Sequence, residues 1–446
     1  MQTNVGASGQ ITWLGGRAAS RHQLTIGGAF DASRVDFQQL SQFGYLNPDR
    51  SITPVNAFAD GSTNVDGVPF DTRVNLHGAP QTWGTYATDT ISFGDVWHAT
   101  VSARFNHVAI DNSDRLPPAS GPGSLTGSYQ FDRVNPAAGL TFSPVRAVNL
   151  YVNYSEGSRA PTSIELGCAD PTQPCKLPNA MAGDPPLNQV VTRSWEAGIR
   201  SGATGALTWS AGVFRAANHN DILFVASTQT GFGYFKNFGE TLRQGVELSA
   251  TRRFRRLTIG GGYTFLDATY QSTETFDGSS NSTNDSALAG EKGVDGTIQI
   301  QPGDRMPLIP RQTVKLFADV PVTPRLSIDL DLVGTSSLVA RGNENNLDQP
   351  DGVYYIGPGV APGYAVVNFG AQYQLTRRLR LIAQINNLFD QHYYTGAQLG
   401  STGLTSSGSF IARPFPAVNG DFPVQQAAFY APGAPTTFWV GLRVRL

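Results

Sequence analysis

Few residues in this chain are of types that do covalent or metal chemistry, and their spacing decides what each can be. Cys168 and Cys175 stand close together in GCADPTQPCKLPN. Pro, Asp and Asn around a close Cys pair suit a surface loop closed by a disulfide, which forms in an oxidising compartment. Two unrelated free thiols are the alternative. A zinc site is disfavoured, since no His or second Cys pair lies nearby in sequence. The six His residues are scattered and show no His-Glu-x-x-His or other paired-ligand spacing. The glycines at 260–262 precede no Lys-Ser/Thr and lie in a strand-like stretch, so they read as close packing or a bulge rather than a phosphate loop. Neither a catalytic constellation nor a metal or cofactor site emerges. What remains is recognition chemistry. Arg159, Tyr270, Arg341, Tyr354 and Tyr355 occur in or beside Gly-, Pro- and Asn-rich segments. There a guanidinium can meet an anion and a phenol ring can offer a flat contact surface. Loop packing, or a place at a polar–apolar boundary, is the competing role for each.

The elements that must position these residues are strands. Apolar residues make up 40% of the chain, below the usual globular share; Gly is abundant at 49 residues, and helix-forming patterns are scarce. In the terminal TTFWVGLRVRL, Phe438, Val440, Leu442, Val444 and Leu446 alternate with Trp439, Gly441, Arg443 and Arg445. That period of two marks a strand with one oily and one polar face. RLSIDLDL, WHATVSARF, RSWEAGIR and LRLIAQIN alternate in the same way. Alternation and turn signals predict about fifteen strands, over 9–14, 22–38, 80–93, 97–112, 128–142, 148–160, 188–201, 206–224, 235–254, 257–272, 308–320, 325–339, 363–376, 379–394 and 434–446. Asp89 interrupts the oily parity of the third.

Connections between these strands alternate short and long. FGD, SPVRA, RRFRR, VTPR and TRR are short; the stretches around 40–79, 113–127, 161–187, 225–234, 273–307, 340–362 and 395–433 are long and rich in Gly, Pro, Ser, Asn and Asp. An antiparallel meander puts alternate connections at opposite ends. Sorting loop length by end, with one oily parity, predicts a transmembrane β-barrel with short periplasmic turns, long extracellular loops and a polar lumen. A propeller needs a regular interval of four strands per blade and a parallel β-helix a short repeat, neither of which is visible, and a sandwich would not sort its loops by end. Glu196, Glu247, Asp329, Asp331, Arg200 and Arg443 then face the lumen, where charge must be paired or wet. Phe142, Phe438, Trp97 and Tyr263 suit a girdle at the lipid boundary. Arg17, Arg21, Arg146, Arg252, Arg253, Arg255, Arg256, Arg325, Arg377 and Arg378 sit in or beside short turns, as plain solvated residues or as attractors of anionic headgroups. The net charge of −2 argues against a nucleic-acid partner, and no apolar run reaches the length of a membrane helix.

Several stretches resemble the TonB-dependent outer-membrane receptors: NLYVNYSEGSRAPT at 149–162, TRSWEAGIRSG at 192–202, GVELSATRRF at 245–254, GGYTFLDATY at 261–270, PGDRMPLIPRQTVKLF at 302–317, INNLFDQHYY at 385–394 and the closing TFWVGLRVRL. Together they cover residues from about 148 to 446; the first 147 fit in style. The resemblance implies a Gram-negative outer-membrane location and a 22-stranded barrel around an N-terminal plug. It also implies uptake of a scarce solute such as a ferric siderophore or similar iron chelate, energised by TonB through that plug. The oily parity of such a barrel is expected to meet outer-membrane lipid, and with no catalytic constellation no enzymatic role is expected. The start, MQTNVGASGQ, lacks signal-peptide features, and no plug-like segment precedes the strands. About fifteen strands is two thirds of such a wall, and an odd meander cannot close on itself antiparallel. The expectation is a C-terminal barrel portion, residues 1–446, without plug or signal peptide. A passive porin, or a truncated receptor remnant without transport activity, is the alternative.

Overall fold

The computed structural model describes the chain apart from residues 18–19, 48, 50, 118–123, 167–174, 177–186, 202–205, 227–231, 404–414 and 446. Period-two alternation becomes a single 17-stranded sheet, two of whose members are short segments, Thr63–Val65 and Cys175–Lys176, lying against longer ones. The other fifteen form a continuous antiparallel wall. In chain order they are β1 (Gln2–Arg17), β2 (Ser20–Ser41), β3 (Val68–Phe93), β4 (Trp97–Asp114), β5 (Gly127–Val145), β6 (Val148–Arg159), β7 (Val190–Ser201) and β8 (Leu207–Ala226). They continue as β9 (Phe232–Arg253), β10 (Thr258–Tyr270), β11 (Gln312–Pro321), β12 (Leu326–Thr335), β13 (Tyr364–Gln374), β14 (Leu379–Asn386) and β15 (Thr437–Val444). Each matches one of the strands expected from alternation. Among the described residues β1 pairs with β2 alone and β15 with β14 alone.

Register brings the oily parities together. Val440, Ala383, Ala371 and Ile328 stand opposite one another across β15, β14, β13 and β12. Phe438 on that face is 80% exposed, as a side chain whose solvent is lipid must be in a protein described alone. Asp89 falls on the same face, opposite Val101. It is tolerated because His22, from the neighbouring strand and the same face, holds its carboxylate at 2.8 Å. On the opposite face, aromatic rings lie over glycines that leave room for them. A side chain at Gly198 would come within 2.6 Å of the Tyr151 hydroxyl, which donates to Glu196 at 2.8 Å while Arg200 covers the ring.

Strand boundaries depart from expectation where the backbone turns. β14 stops at Asn386 rather than 394, since Asn387 and Asp390 take φ of 50° and 49°, the left-handed region used in tight turns. β11 starts at Gln312, beyond Leu308 at φ 63°. β3 begins at Val68, well before 80.

The buried core sits at the long-loop end. Phe238, Tyr270, Phe276, Ile298, Ile300 and Met306 form one cluster beneath the 271–311 loop. Leu338, Ala340, Ala361, Ala397 and Leu399 join the loops after β12 and β14. Between them runs a polar seam. Asn281 donates to the carbonyl of Gly342 and to Asn345, Asp348 accepts from the Ser282 amide, and Asn346 accepts from the Arg305 amide. Amide side chains bond backbone groups that irregular chain would otherwise bury unpaired. Three distant loops thereby become one layer over that end of the wall. Among the described residues no helix is long and apolar enough to cross a membrane, which says nothing about crossing by strands.

Candidate ligand-recognition site at the long-loop end

Above Ala137 and Ser155, β5 and β6 stop pairing. The chain leaving β6 turns inward and forms a short helix, Ser163–Leu166. Its sequence explains the turn. Thr162 and Glu165 make a reciprocal cap: the Glu165 amide donates to the Thr162 hydroxyl at 3.2 Å, and the Thr162 amide donates to the Glu165 carboxylate at 2.7 Å. Leu166 anchors the segment by packing with Ile110, Leu187, Val190 and Ile222.

Between this segment and the polar faces of β3, β4 and β5 lies a cavity of about 610 Å³. Val108, Ile110, Phe131, Pro161 and Ile164 supply apolar wall; Thr82, Arg104, Asn106, Ser158, Ser163 and Gln189 supply polar groups. Arg104 is exposed, and among the described residues no carboxylate pairs with it. Its Nε donates to Asn106 at 2.7 Å and its guanidinium lies 6.0 Å from the Tyr86 ring, which fixes its direction. Ser163 is 6% exposed and its hydroxyl has no hydrogen-bond partner among the described residues. Neither has the side-chain oxygen of buried Asn112, whose amide holds the Ser163 carbonyl at 3.2 Å. Gly78 makes space for both: a Cβ there would stand 2.6 Å from the Ser163 hydroxyl and 3.3 Å from the Asn112 oxygen. A pocket of this size, mostly apolar, with one directed cation and unspent hydrogen-bonding groups, suits a partly apolar anionic ligand.

A second cavity, about 370 Å³, lies in the loop layer among Ser282, Thr283, Lys292, Leu347, Gln349, Asp351 and Tyr355. Burial pushes the Asp351 carboxyl up, but the amides of Tyr355, Val353 and Tyr354 and the Lys292 ammonium outweigh it and hold the group down at about 2. Nearby, burial raises the carboxyls of Glu344, Asp348 and Asp277.

The residues expected to recognise a solute do not converge. Arg159 does not line the larger cavity, though Ser158 and Ala160 on either side of it do, and its guanidinium pairs with Glu165 at 2.7 Å. Tyr270 and Tyr355 are each 3% exposed. The first packs against Phe238 and Phe276, and the second accepts the Gly293 amide through its hydroxyl. Arg341 is exposed, its backbone bonded to Ala397 and Leu399. Tyr354 is half-buried and stacks on Phe415 at 4.1 Å. Cys168, and with it the expected disulfide, lies outside the described residues; Cys175 belongs to a two-residue strand paired with the start of β9. Arg104, Asn106 and Ser163, which do line the larger cavity, are not among the recognition residues expected from the sequence. Parity places Arg104 on the polar face, and Thr162-x-x-Glu165 is a helix-start signature that would have pointed to Ser163. Among the described residues no group of His, Cys, Asp or Glu is placed to hold a metal ion.

Comparison with known proteins bears on this arrangement. A family model described as "TonB dependent receptor-like, beta-barrel" matches residues 2–388. A probable TonB-dependent siderophore receptor, PiuA, of Acinetobacter baumannii is 21% identical over 393 residues, covering 84% of this chain and 47% of that protein. The ferrioxamine B receptor of Salmonella typhimurium is 24% identical over 258 residues, covering 57% and 31%. Among solved structures, the ferric-catecholate import receptor Fiu of E. coli superposes with a TM-score of 0.65 at 16% identity, over 99% of this chain and 54% of its own. The structure of PiuA gives 0.63 at 15% identity, over 99% and 56%. At such identities the structural matches speak for the fold alone. The chain spans about half the length of the relatives it matches.

Proposed function

Since the chain belongs to the TonB-dependent receptor-like β-barrel family, we propose that it forms wall and loops of a receptor that takes up a scarce iron chelate, most simply a ferric siderophore. The chain is an outer-membrane protein of a Gram-negative bacterium, as its family and its siderophore-receptor relatives are. Its wall meets lipid with the oily parity, and its long loops face outward. In this reading the loops and the cavity under them capture the chelate. TonB supplies the energy for import through a plug domain. Relatives named for siderophores and for ferrioxamine B support the substrate class.

One observation carries the reading: the amphipathic cavity at the long-loop end, where among the described residues the Arg104 guanidinium has no carboxylate and the Ser163 hydroxyl no hydrogen-bond partner. Ferric siderophores combine an apolar or aromatic frame with oxygen-rich, often anionic chelating groups. The test is tryptophan quenching of the full chain by ferric catecholates and ferric hydroxamates. Micromolar or tighter binding is expected, weakened about tenfold in Arg104→Ala, on the scale of a lost charge-assisted hydrogen bond. Equal affinity in that variant removes the cavity from the reading. Iron-chelate uptake that persists in cells lacking TonB, or liposome swelling by small sugars, sinks the transporter and favours a porin.

A further inference from the structure

Charge is segregated between the two ends of the wall. The β9–β10 turn carries Arg252, Arg253, Arg255 and Arg256, all exposed. The β5–β6, β11–β12 and β13–β14 turns add further exposed arginines. The acid of the short turns is Asp95, and Arg21 already holds it at 2.8 Å. No other ion pair forms on this rim among the described residues. The chain as a whole is at −2, so the compensating acids lie elsewhere.

Apolar groups share the rim. Phe254 stands between the two arginine pairs, 42% exposed, with the Arg252 guanidinium 4.9 Å from its ring. Trp97 and Phe142 stack at 4.1 Å on the oily face of the same end, and Val145, Val322 and Leu375 are exposed in neighbouring turns. Unpaired guanidiniums are forks for phosphate oxygens, and aromatic rings settle at the boundary between headgroups and acyl chains. Family membership puts the wall across a membrane, so this rim stands at one bilayer surface.

We infer that the short-turn rim is a docking surface for anionic glycerophospholipid headgroups, with the Arg252–Arg256 turn as its strongest point. The guanidiniums take the phosphates and Phe254 sits at the acyl boundary. The reading needs the membrane location but not the iron chelate, so it stands or falls apart from the proposed transport.

The test is flotation of the full chain with phosphatidylcholine vesicles, with and without a minority of phosphatidylglycerol, at low and high salt. Wild-type chain should favour the anionic vesicles by about tenfold at low salt, the preference fading as salt screens the rim. The variant R252Q/R253Q/R255Q/R256Q should lose most of that preference. Four lysines at the same positions should keep most of it, which separates lost charge from a lost fold. Three outcomes overturn the inference. One is equal partition of wild-type chain between the two vesicle types. Another is a glutamine variant that keeps the preference. The third is an equal loss in R193Q/R215Q, whose substitutions lie toward the long-loop end.

Discussion

Ser163 is a buried hydroxyl with no hydrogen-bond partner among the described residues, and that gives it a separable signature. Removing it takes away no hydrogen bond seen among the described residues, so Ser163→Ala should leave the unfolding midpoint within about 0.5 kcal/mol of wild type or slightly raise it. Chelate affinity should nonetheless fall several-fold, read by the same quenching titration. A large stability loss with unchanged affinity would make Ser163 a packing residue. Asp351 makes a prediction in pH. Its carboxyl is held below its ordinary value by three amides and Lys292. A depressed group contributes stability above its unfolded value and loses it as pH falls through the folded one. The loss falls between about pH 4 and pH 2, and is worth about 1 kcal/mol for so exposed an interaction. Glu344, Asp348 and Asp277 run the other way. Their raised values make the loop layer gain stability as pH falls from neutral toward the ordinary carboxylate range. Hydrogen exchange at the amides of 353–355, corrected for intrinsic rate, should slow first and then quicken on acidification. A monotonic profile would show that these carboxyls do not hold the layer. Residue roles were the least legible part of the sequence. Arg104 could be placed on a face by parity, but its lack of a partner depends on strands far apart in the chain. Tyr270 and Tyr355 have the composition of contact residues and are buried by loops that no local pattern describes.

At the scale of elements the sequence was far more informative. Period-two alternation locates every strand of the wall, because a strand with lipid on one side and a polar lumen on the other must alternate. Two of the misjudged ends are backbone turns, at Asn387 and Asp390 and at Leu308, where a residue's φ ends a pattern the side chains would continue; the early start of β3 at Val68 is a strand running on into a stretch expected to be loop. Asp89 shows how two strands settle an exception together. His22→Ala should leave that carboxylate unpaired on the oily face and cost about 1 kcal/mol near the membrane boundary. Replacing both partners by leucine should restore or exceed wild-type stability, read from the temperature at which heat-modifiable mobility is lost. Equal midpoints in all three proteins would mean that the pair contributes nothing. Gly198 tests the inner face in the same assay. A valine there meets the Tyr151 hydroxyl and should lower the midpoint by an amount corresponding to about 1–3 kcal/mol.

For the whole molecule, the order of strands fixes a direction of travel. β1 leads into a short turn and β15 follows a long loop, so both run from the long-loop end to the short-turn end. Their outer hydrogen-bonding edges, one on each side of the sheet, therefore have the same polarity. Any strand that pairs antiparallel with either must climb from the short turns toward the long loops. Copies of this sheet inserted in one bilayer all share one vertical orientation. A second copy laid beside the first offers a descending strand to a descending strand, which excludes antiparallel zippering of copies into a larger ring. The wall can be extended in kind only by chain that ascends.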